Sequence, residues 1–206
     1  MHSDHTFIYS NRLIYTLLMR LLYGRFFNAR YQAISNITPQ GADIVDVCSG
    51  DCRLYLNFLR EKKVKYLGLD YSPHFVKQAK KANVKAKLFN VWKRDIPPAD
   101  FLIMQASLYQ FIPHEKMILE KLLNASKKKV IVAEPIRNLS DSRSVLIARL
   151  SRTLTRSKSD CGVYTGKRFN KKKLIKLFHK FDEFQKSFLI PGGREIVGVF
   201  RGRLGK

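Results

Sequence analysis

Beyond residue 43 the chain alternates short apolar runs with longer segments whose apolar positions recur every three or four residues. Residues 44–47, interrupted by one carboxylate at Asp46, have the length and composition of a buried parallel strand. The short residues Cys48-Ser49-Gly50-Asp51-Cys52 predict a tight turn, and 53–59 a helix with one apolar face that ends near 60–63. A second strand is predicted over 65–70, ending in Asp70. The helix after it, 73–82, opens on Pro73, turns Phe75, Val76 and Ala79 inward and Lys77, Lys80 and Lys81 outward. Residues 84–90 alternate apolar and basic positions, as a half-exposed strand does.

The rhythm continues with strands over 101–105 and 130–134 and a helix between them over 113–125. Asn170 is placed to cap a helix over 171–180 whose stripe is Leu174, Ile175, Leu177, Phe178 and Phe181. Two last strands, 184–190 and 195–201, flank Pro191-Gly192-Gly193-Arg194 and predict a hairpin. Strands alternating with helices make this an α/β chain built on a mostly parallel sheet.

Two segments stand outside the rhythm. Residues 12–22 are apolar or aromatic except for Arg12, Thr16 and Arg20, which share one narrow helical stripe. Such a helix needs cover on nearly every side. It either packs over the core or serves as a lid or interfacial anchor, its arginines suiting anionic lipid. Residues 138–161 form an insertion with a basic helical pattern over 142–154. The division expected is a helical cap over 1–38 and one domain over 39–206.

A strand, a small-residue loop and a helix start together favour a polar ligand, because loop N–H groups and the helix dipole converge there. Asp70, about twenty residues past the loop, has the spacing of an acid that accepts hydrogen bonds from ribose hydroxyls. Glu134 ends a strand and is a candidate for touching substrate. His114, at a helix start, is a weaker one.

The order of these motifs resembles the class I S-adenosylmethionine (SAM)-dependent methyltransferases. Val45-Asp46-Val47-Cys48-Ser49-Gly50-Asp51-Cys52 stands where that family has hydrophobic-Asp-hydrophobic-Gly-x-Gly-x-Gly, and only the middle glycine, Gly50, is kept. Gly68-Leu69-Asp70-Tyr71-Ser72 matches the second signature. Ala106-Ser107-Leu108-Tyr109-Gln110-Phe111 resembles a stretch that often reads Leu-His-His-Phe. The stretch is not Asn-Pro-Pro-Tyr or Asp-Pro-Pro-Tyr, which counts against planar-nitrogen acceptors. The segment around Tyr23-Gly24-Arg25 looks like the leading region of the phospholipid N-methyltransferases and quinone C-methyltransferases, where it folds over the cofactor.

The resemblance implies a Rossmann-like α/β fold: a seven-stranded, mostly parallel sheet with helices on both faces, an antiparallel last strand and an N-terminal helical cap. It implies SAM as cofactor. Asp46, Cys48, Ser49, Gly50 and Arg53 would lie at the methionine moiety, Asp70 and Tyr71 at the ribose, and Asn90 and Val91 at the adenine; Gln105 would also bind the cofactor, and Tyr109 would stack on the adenine or close the methyl-transfer pocket. Tyr23, His114 and Glu134 would face substrate. No catalytic base is evident.

Composition changes the choice of partner. The 206 residues carry a net charge of +23, with 45% hydrophobic and 12% aromatic residues. That is a folded chain with a sizeable core, and its charge implies an anionic partner. A small-molecule or lipid-like acceptor fits the apolar N-terminal pattern, with peripheral contact with an anionic membrane. RNA is a less favoured partner, and a non-catalytic binding module is the alternative to an enzyme. A nicotinamide-dependent oxidoreductase shares the first strand, loop and helix. The middle-only glycine and closing hairpin disfavour it. Three cysteines fit a reducing, cytoplasmic setting. No His or Cys cluster completes a metal site. No run reaches the roughly twenty apolar residues of a membrane span.

Overall fold

The computed structural model describes residues 24–136 and 167–205. The apolar helix expected over 12–22, Tyr23 and the insertion over 138–161 lie outside the described residues.

The seven strands are β1 (Asp43–Val47), β2 (Lys65–Asp70), β3 (Ala86–Leu88), β4 (Ala99–Gln105), β5 (Ser126–Pro135), β6 (Phe184–Leu189) and β7 (Glu195–Arg201). They form one sheet in the order β3-β2-β1-β4-β5-β7-β6. The pairs among β1 to β5 are parallel, and β7 runs antiparallel to both β5 and β6. The chain winds outward from β1 to β3 and then restarts at β4 on the other side of β1. The carboxyl ends of β1 and β4 therefore flank the point where strand order reverses, which is where open α/β sheets bind ligands.

The helices are α1 (Ala29–Ile37), α2 (Pro73–Lys81), α3 (Glu115–Ala125) and α4 (Lys171–Phe178). Alternate strand residues face opposite helical layers. Val45, Val47, Leu102, Met104, Val130 and Val132 pack with Ile118, Leu122, Leu174 and Phe178 of α3 and α4. Ile44, Ile103, Ile131 and Val197 pack on the other face with Ile34, Leu59, Val76 and Ala79. Each fully buried Leu or Ile contributes about 1.5–3 kcal/mol of apolar transfer.

The cap expected at Asn170 is present, and two further end contacts join it. Ser72 Oγ accepts from Phe75 N–H with Pro73 in the first turn of α2, and Asn170 Oδ1 accepts from Lys173 N–H at 2.8 Å. Lys62 Nζ donates to the carbonyls of Ser35 and Thr38 at the end of α1, at 2.5 and 2.8 Å, where a cation favours the helix dipole.

Three local expectations change. The segment after the first loop is a widened π turn, Tyr55–Leu59, that tightens into a 3-10 turn, Arg60–Lys62, instead of a uniform α-helix. There Tyr55 stacks on Tyr66 and Phe58 on Tyr31, with ring centroids 4.4 and 5.3 Å apart. The third strand is shortened to three residues: β3 is an edge strand with exposed Lys87, preceded by exposed Lys85. Phe75 and Ile175 are half-buried, at the margins of their helices' buried stripes. Among the described residues no helix is long and apolar enough to cross a membrane.

Candidate functional site

The loop after β1 takes its shape from three residues with positive φ: Cys48 at 61°, Gly50 at 54° and Cys52 at 54°. Cys48 and Cys52 stand where the family signature has glycine, and they keep the backbone conformation that glycine adopts freely. Each non-glycine residue there costs on the order of 1–2 kcal/mol. The rest of the fold must hold the loop against that strain. Ser49 N–H donates to Leu69 O and Cys52 N–H to Ser49 O, at 3.1 and 3.0 Å. The Cys52 thiol is buried, 3.6 Å from Ser49 Oγ, and burial pushes it up to about 11, so it is a neutral packing group.

Asp70, at the end of β2, joins this loop. Its Oδ2 accepts from Gly50 N–H at 2.7 Å and its Oδ1 from Ser72 N–H at 2.8 Å. Burial raises the Asp70 carboxyl above its ordinary value, and the two N–H donors oppose that rise. They occupy two of the roughly four lone-pair sites of a carboxylate. Gly68 explains how the strand and loop come so close. A Cβ there would stand 2.9 Å from both Cys52 Sγ and Ser49 Oγ.

Asp46 lies beneath the loop. It is buried, its Oδ2 accepts from Tyr66 O–H at 2.7 Å, and desolvation pushes its carboxyl up to about 7. Arg53 is buried beside the loop with its guanidinium 3.4 Å from Asp51 Oδ2 and over the Phe27 ring. Tyr71 follows Asp70 and is exposed. Beyond β3, Asn90 Oδ1 accepts from Trp92 N–H at 3.0 Å, and the Val91 carbonyl accepts from Lys121 Nζ at 3.0 Å.

On the other side of β1, Gln105 ends β4. The next residue, Ala106, bends the chain with φ of 51°. Glu134 holds the turn that follows. Its Oε1 accepts from the N–H groups of Ser107 and Leu108, both at 2.7 Å, and its Oε2 from Tyr109 N–H at 3.3 Å. Glu134 is fully buried, and desolvation pushes its carboxyl up to about 8 against those three donors. This strand-end carboxylate, a candidate for touching substrate, clamps the backbone of the turn. Tyr109 lies in the 3-10 turn Leu108–Phe111, with the Arg168 guanidinium 3.5 Å from its ring centroid. His114 is exposed at the start of α3, its ring edge-on to Trp92.

The structure therefore gathers Cys48, Ser49, Gly50, Arg53, Asp70 and Tyr71 at the ends of β1 and β2, and Gln105 and Tyr109 at the end of β4. Arg168, Tyr66 and the clamping role of Glu134 were not legible beforehand. Arg168 reaches Tyr109 from beyond the insertion, and no local spacing announces that contact. Among the described residues, no group of three or more His, Cys, Asp or Glu side chains could hold a metal ion.

No protein-family model matches the sequence, and no curated protein matches it by sequence. Solved structures match it by fold. A TehB-like SAM-dependent methyltransferase from Corynebacterium glutamicum superposes with a TM-score of 0.60 at 14% identity, over 94% of this chain and 98% of its own. A chain from the complex between the Haloferax volcanii Trm112 methyltransferase activator and a methyltransferase gives 0.70 at 10% identity, over 98% and 99%. The plantazolicin methyltransferase BpumL, in complex with S-adenosylhomocysteine (SAH), gives 0.60 at 15% identity, over 95% and 88%. With the strand order 3-2-1-4-5-7-6 and the antiparallel β7, these matches identify the chain's fold as that of the class I SAM-dependent methyltransferases.

Proposed function

We propose that the chain is a SAM-dependent methyltransferase acting on a small, hydrophobic or lipid-like acceptor. The observation that carries the reading is the Gly50–Asp70 hydrogen bond, which joins loop and strand-end carboxylate into one cradle beside the switch point. The residues fit the cofactor. Asp70 retains lone pairs for ribose hydroxyls, and the glycine-like backbone at Cys48, Gly50 and Cys52 keeps the loop wrapped tightly enough to meet a methionine tail. Asn90 and Val91 would serve the adenine, Tyr71 the ribose face, and Arg53, steadied by Asp51, the tail's carboxylate.

Bound SAM supplies an already activated methyl group. The protein's work is then to position the acceptor and exclude water. The apolar pattern over 12–22 supports a hydrophobic acceptor. Related folds solved with SAH support the choice of cofactor.

Thermal unfolding with and without millimolar SAH tests the reading. A protein that binds SAH unfolds at a higher temperature, rising with concentration; an unchanged transition refutes the assignment. The net charge of +23 favours RNA as a second acceptor class. Supplying labelled SAM with a lipid extract and, separately, with total RNA distinguishes the two. Label entering RNA alone removes the hydrophobic-acceptor reading.

A further inference from the structure

Cations and acids are matched on one side of the molecule and not on the other. Around α3, β5 and β7, Lys116 stands beside Glu120, Lys121 beside Asp95, Lys128 beside Asp100 and Arg203 beside Glu183. The wing made of β2, β3 and α2 has no such arrangement. Residues 60–87 contain nine Lys and Arg against two acids, Glu61 and Asp70, and Asp70 is turned into the cradle. Lys65, Lys77, Lys80, Lys81, Lys85 and Lys87 are all exposed, and among the described residues no ion pair joins any of them to an acid. Like charges gathered in this way repel one another and work against the compact state.

Local structure explains only part of the set. Lysines on an edge strand guard it against pairing with another chain, which covers Lys85 and Lys87. The dipole of α2 favours Lys80 and Lys81 in its last turn. Neither covers Lys65 or Lys77, nor the lack of acids between them. The cradle does not explain the charge either. Lys65 opens β2 and Asp70 closes it, roughly 16 Å away at the rise of a strand.

The six side chains wrap the edge of the sheet. Ala86 and Tyr66 lie in the layer that contains Val76 and Ala79 of α2. Strand alternation sends Lys65, Lys85 and Lys87 to the opposite face, while Lys77, Lys80 and Lys81 lie on the outer side of α2. Charge presented on two faces does not match a flat bilayer. Of the exposed large apolar side chains among the described residues, only Tyr71 and Leu88 belong to this wing, both at its carboxyl end. An interfacial anchor needs a continuous apolar face, and the wing has none. A rigid duplex meets one face at a time, whereas a flexible polyanion follows both.

We propose that this edge binds single-stranded RNA through its phosphates, with Lys65, Lys85 and Lys87 holding it on one face and Lys77, Lys80 and Lys81 on the other. RNA is the nucleic acid that commonly presents single-stranded segments to proteins. Its phosphates take the place of the missing acids as partners of the lysines. Such contacts position a strand and read no base sequence. The proposal is independent of the methyltransferase reading.

Fluorescence anisotropy of a labelled, unstructured RNA of about 20 nucleotides, at about 150 mM salt, tests this on the full chain. The triple variant Lys65→Gln, Lys85→Gln, Lys87→Gln should bind at least tenfold more weakly, as should Lys77→Gln, Lys80→Gln, Lys81→Gln. The control Lys127→Gln, Lys180→Gln, Lys186→Gln removes the same charge from exposed positions toward the β6 end of the sheet and should lose less than threefold. Each edge variant should also lower the slope of log affinity against log salt by about 2. All three variants should unfold within about 3 °C of the wild type, which separates lost binding from lost fold. Equal losses in the edge and control variants would mean that net charge alone drives binding, and overturn the proposal. Absence of binding by the wild type overturns it too. Tighter binding to duplex DNA, or to phosphatidylglycerol vesicles, than to the RNA would give the edge a different partner and also overturn it.

Discussion

Gly50 donates its backbone N–H to Asp70 Oδ2 at 2.7 Å, across twenty residues of sequence. The loop after β1 and the carboxylate after β2 are thereby tied together. On the proposed reading, replacing Asp70 removes a cofactor-binding group and frees the loop together. Asp70→Ala is expected to abolish measurable SAH binding by calorimetry. Asp70→Asn keeps one acceptor oxygen for Gly50 and should bind at least tenfold more weakly while unfolding within a few degrees of the wild type. Wild-type affinity in Asp70→Ala would sink the cofactor assignment.

Gly68 makes a second prediction about the same cradle. A methyl group there meets Cys52 Sγ and Ser49 Oγ at 2.9 Å, so those side chains or the loop that carries them must shift. Overpacking of this kind costs about 1–3 kcal/mol. Gly50→Ala has open space for its methyl group and faces only the strain of its positive φ, about 1–2 kcal/mol. Urea unfolding should rank Gly68→Ala below Gly50→Ala in stability, and calorimetry should find weaker SAH binding in Gly68→Ala. The reverse order would mean that the loop yields to side chains more easily than its backbone yields to strain.

Most of this architecture was legible because it rests on local patterns. Apolar runs of four or five residues marked the parallel strands, and Pro73 and Asn170 marked helix starts. The hairpin announced itself through Pro191-Gly192-Gly193. The loop was harder. Glycine is the residue that signals positive φ, and here cysteine adopts that conformation at two positions, so the sequence looked more degenerate than the backbone is. Glu134 shows another limit. Its partners are three backbone N–H groups about 25 residues upstream, and backbone groups leave no trace in side-chain spacing. The Arg30–Glu195 pair joins residues 165 positions apart, and no pattern short of the folded sheet brings them together.

That pair leads to a prediction of its own. Arg30 Nη2 lies 2.7 Å from Glu195 Oε1, and the two side chains are 2% and 0% exposed. It fixes α1 to the first residue of β7. Removing one member leaves a charge buried without its partner, at about 3–5 kcal/mol. Arg30→Met should therefore be severely destabilised in urea unfolding. Arg30→Met combined with Glu195→Met removes both charges and should recover most of the loss. A double variant no more stable than Arg30→Met would show that the two side chains matter for packing and not as a charge pair.

Asp46 sets the pH dependence to look for. Burial pushes its carboxyl up to about 7, the Tyr66 hydroxyl opposes the shift, and the charges of Asp70 and Asp51 add to it. A carboxyl whose value is raised on folding holds its proton more tightly in the folded state. Its stabilising contribution is complete below the unfolded value, near 4, and is lost as pH rises toward 7. The size of that loss is on the order of 4 kcal/mol. Asparagine at this position still accepts from Tyr66 and has no proton to lose. Unfolding free energies at pH 5 and pH 8 should therefore fall more steeply with pH in the wild type than in Asp46→Asn. Glu134 is raised in the same direction, to about 8, but it is common to both proteins and cancels in the difference. Parallel pH profiles would mean that Asp46 is ionised in the folded protein throughout this range. The Tyr66 hydrogen bond would then outweigh the cost of burying its charge.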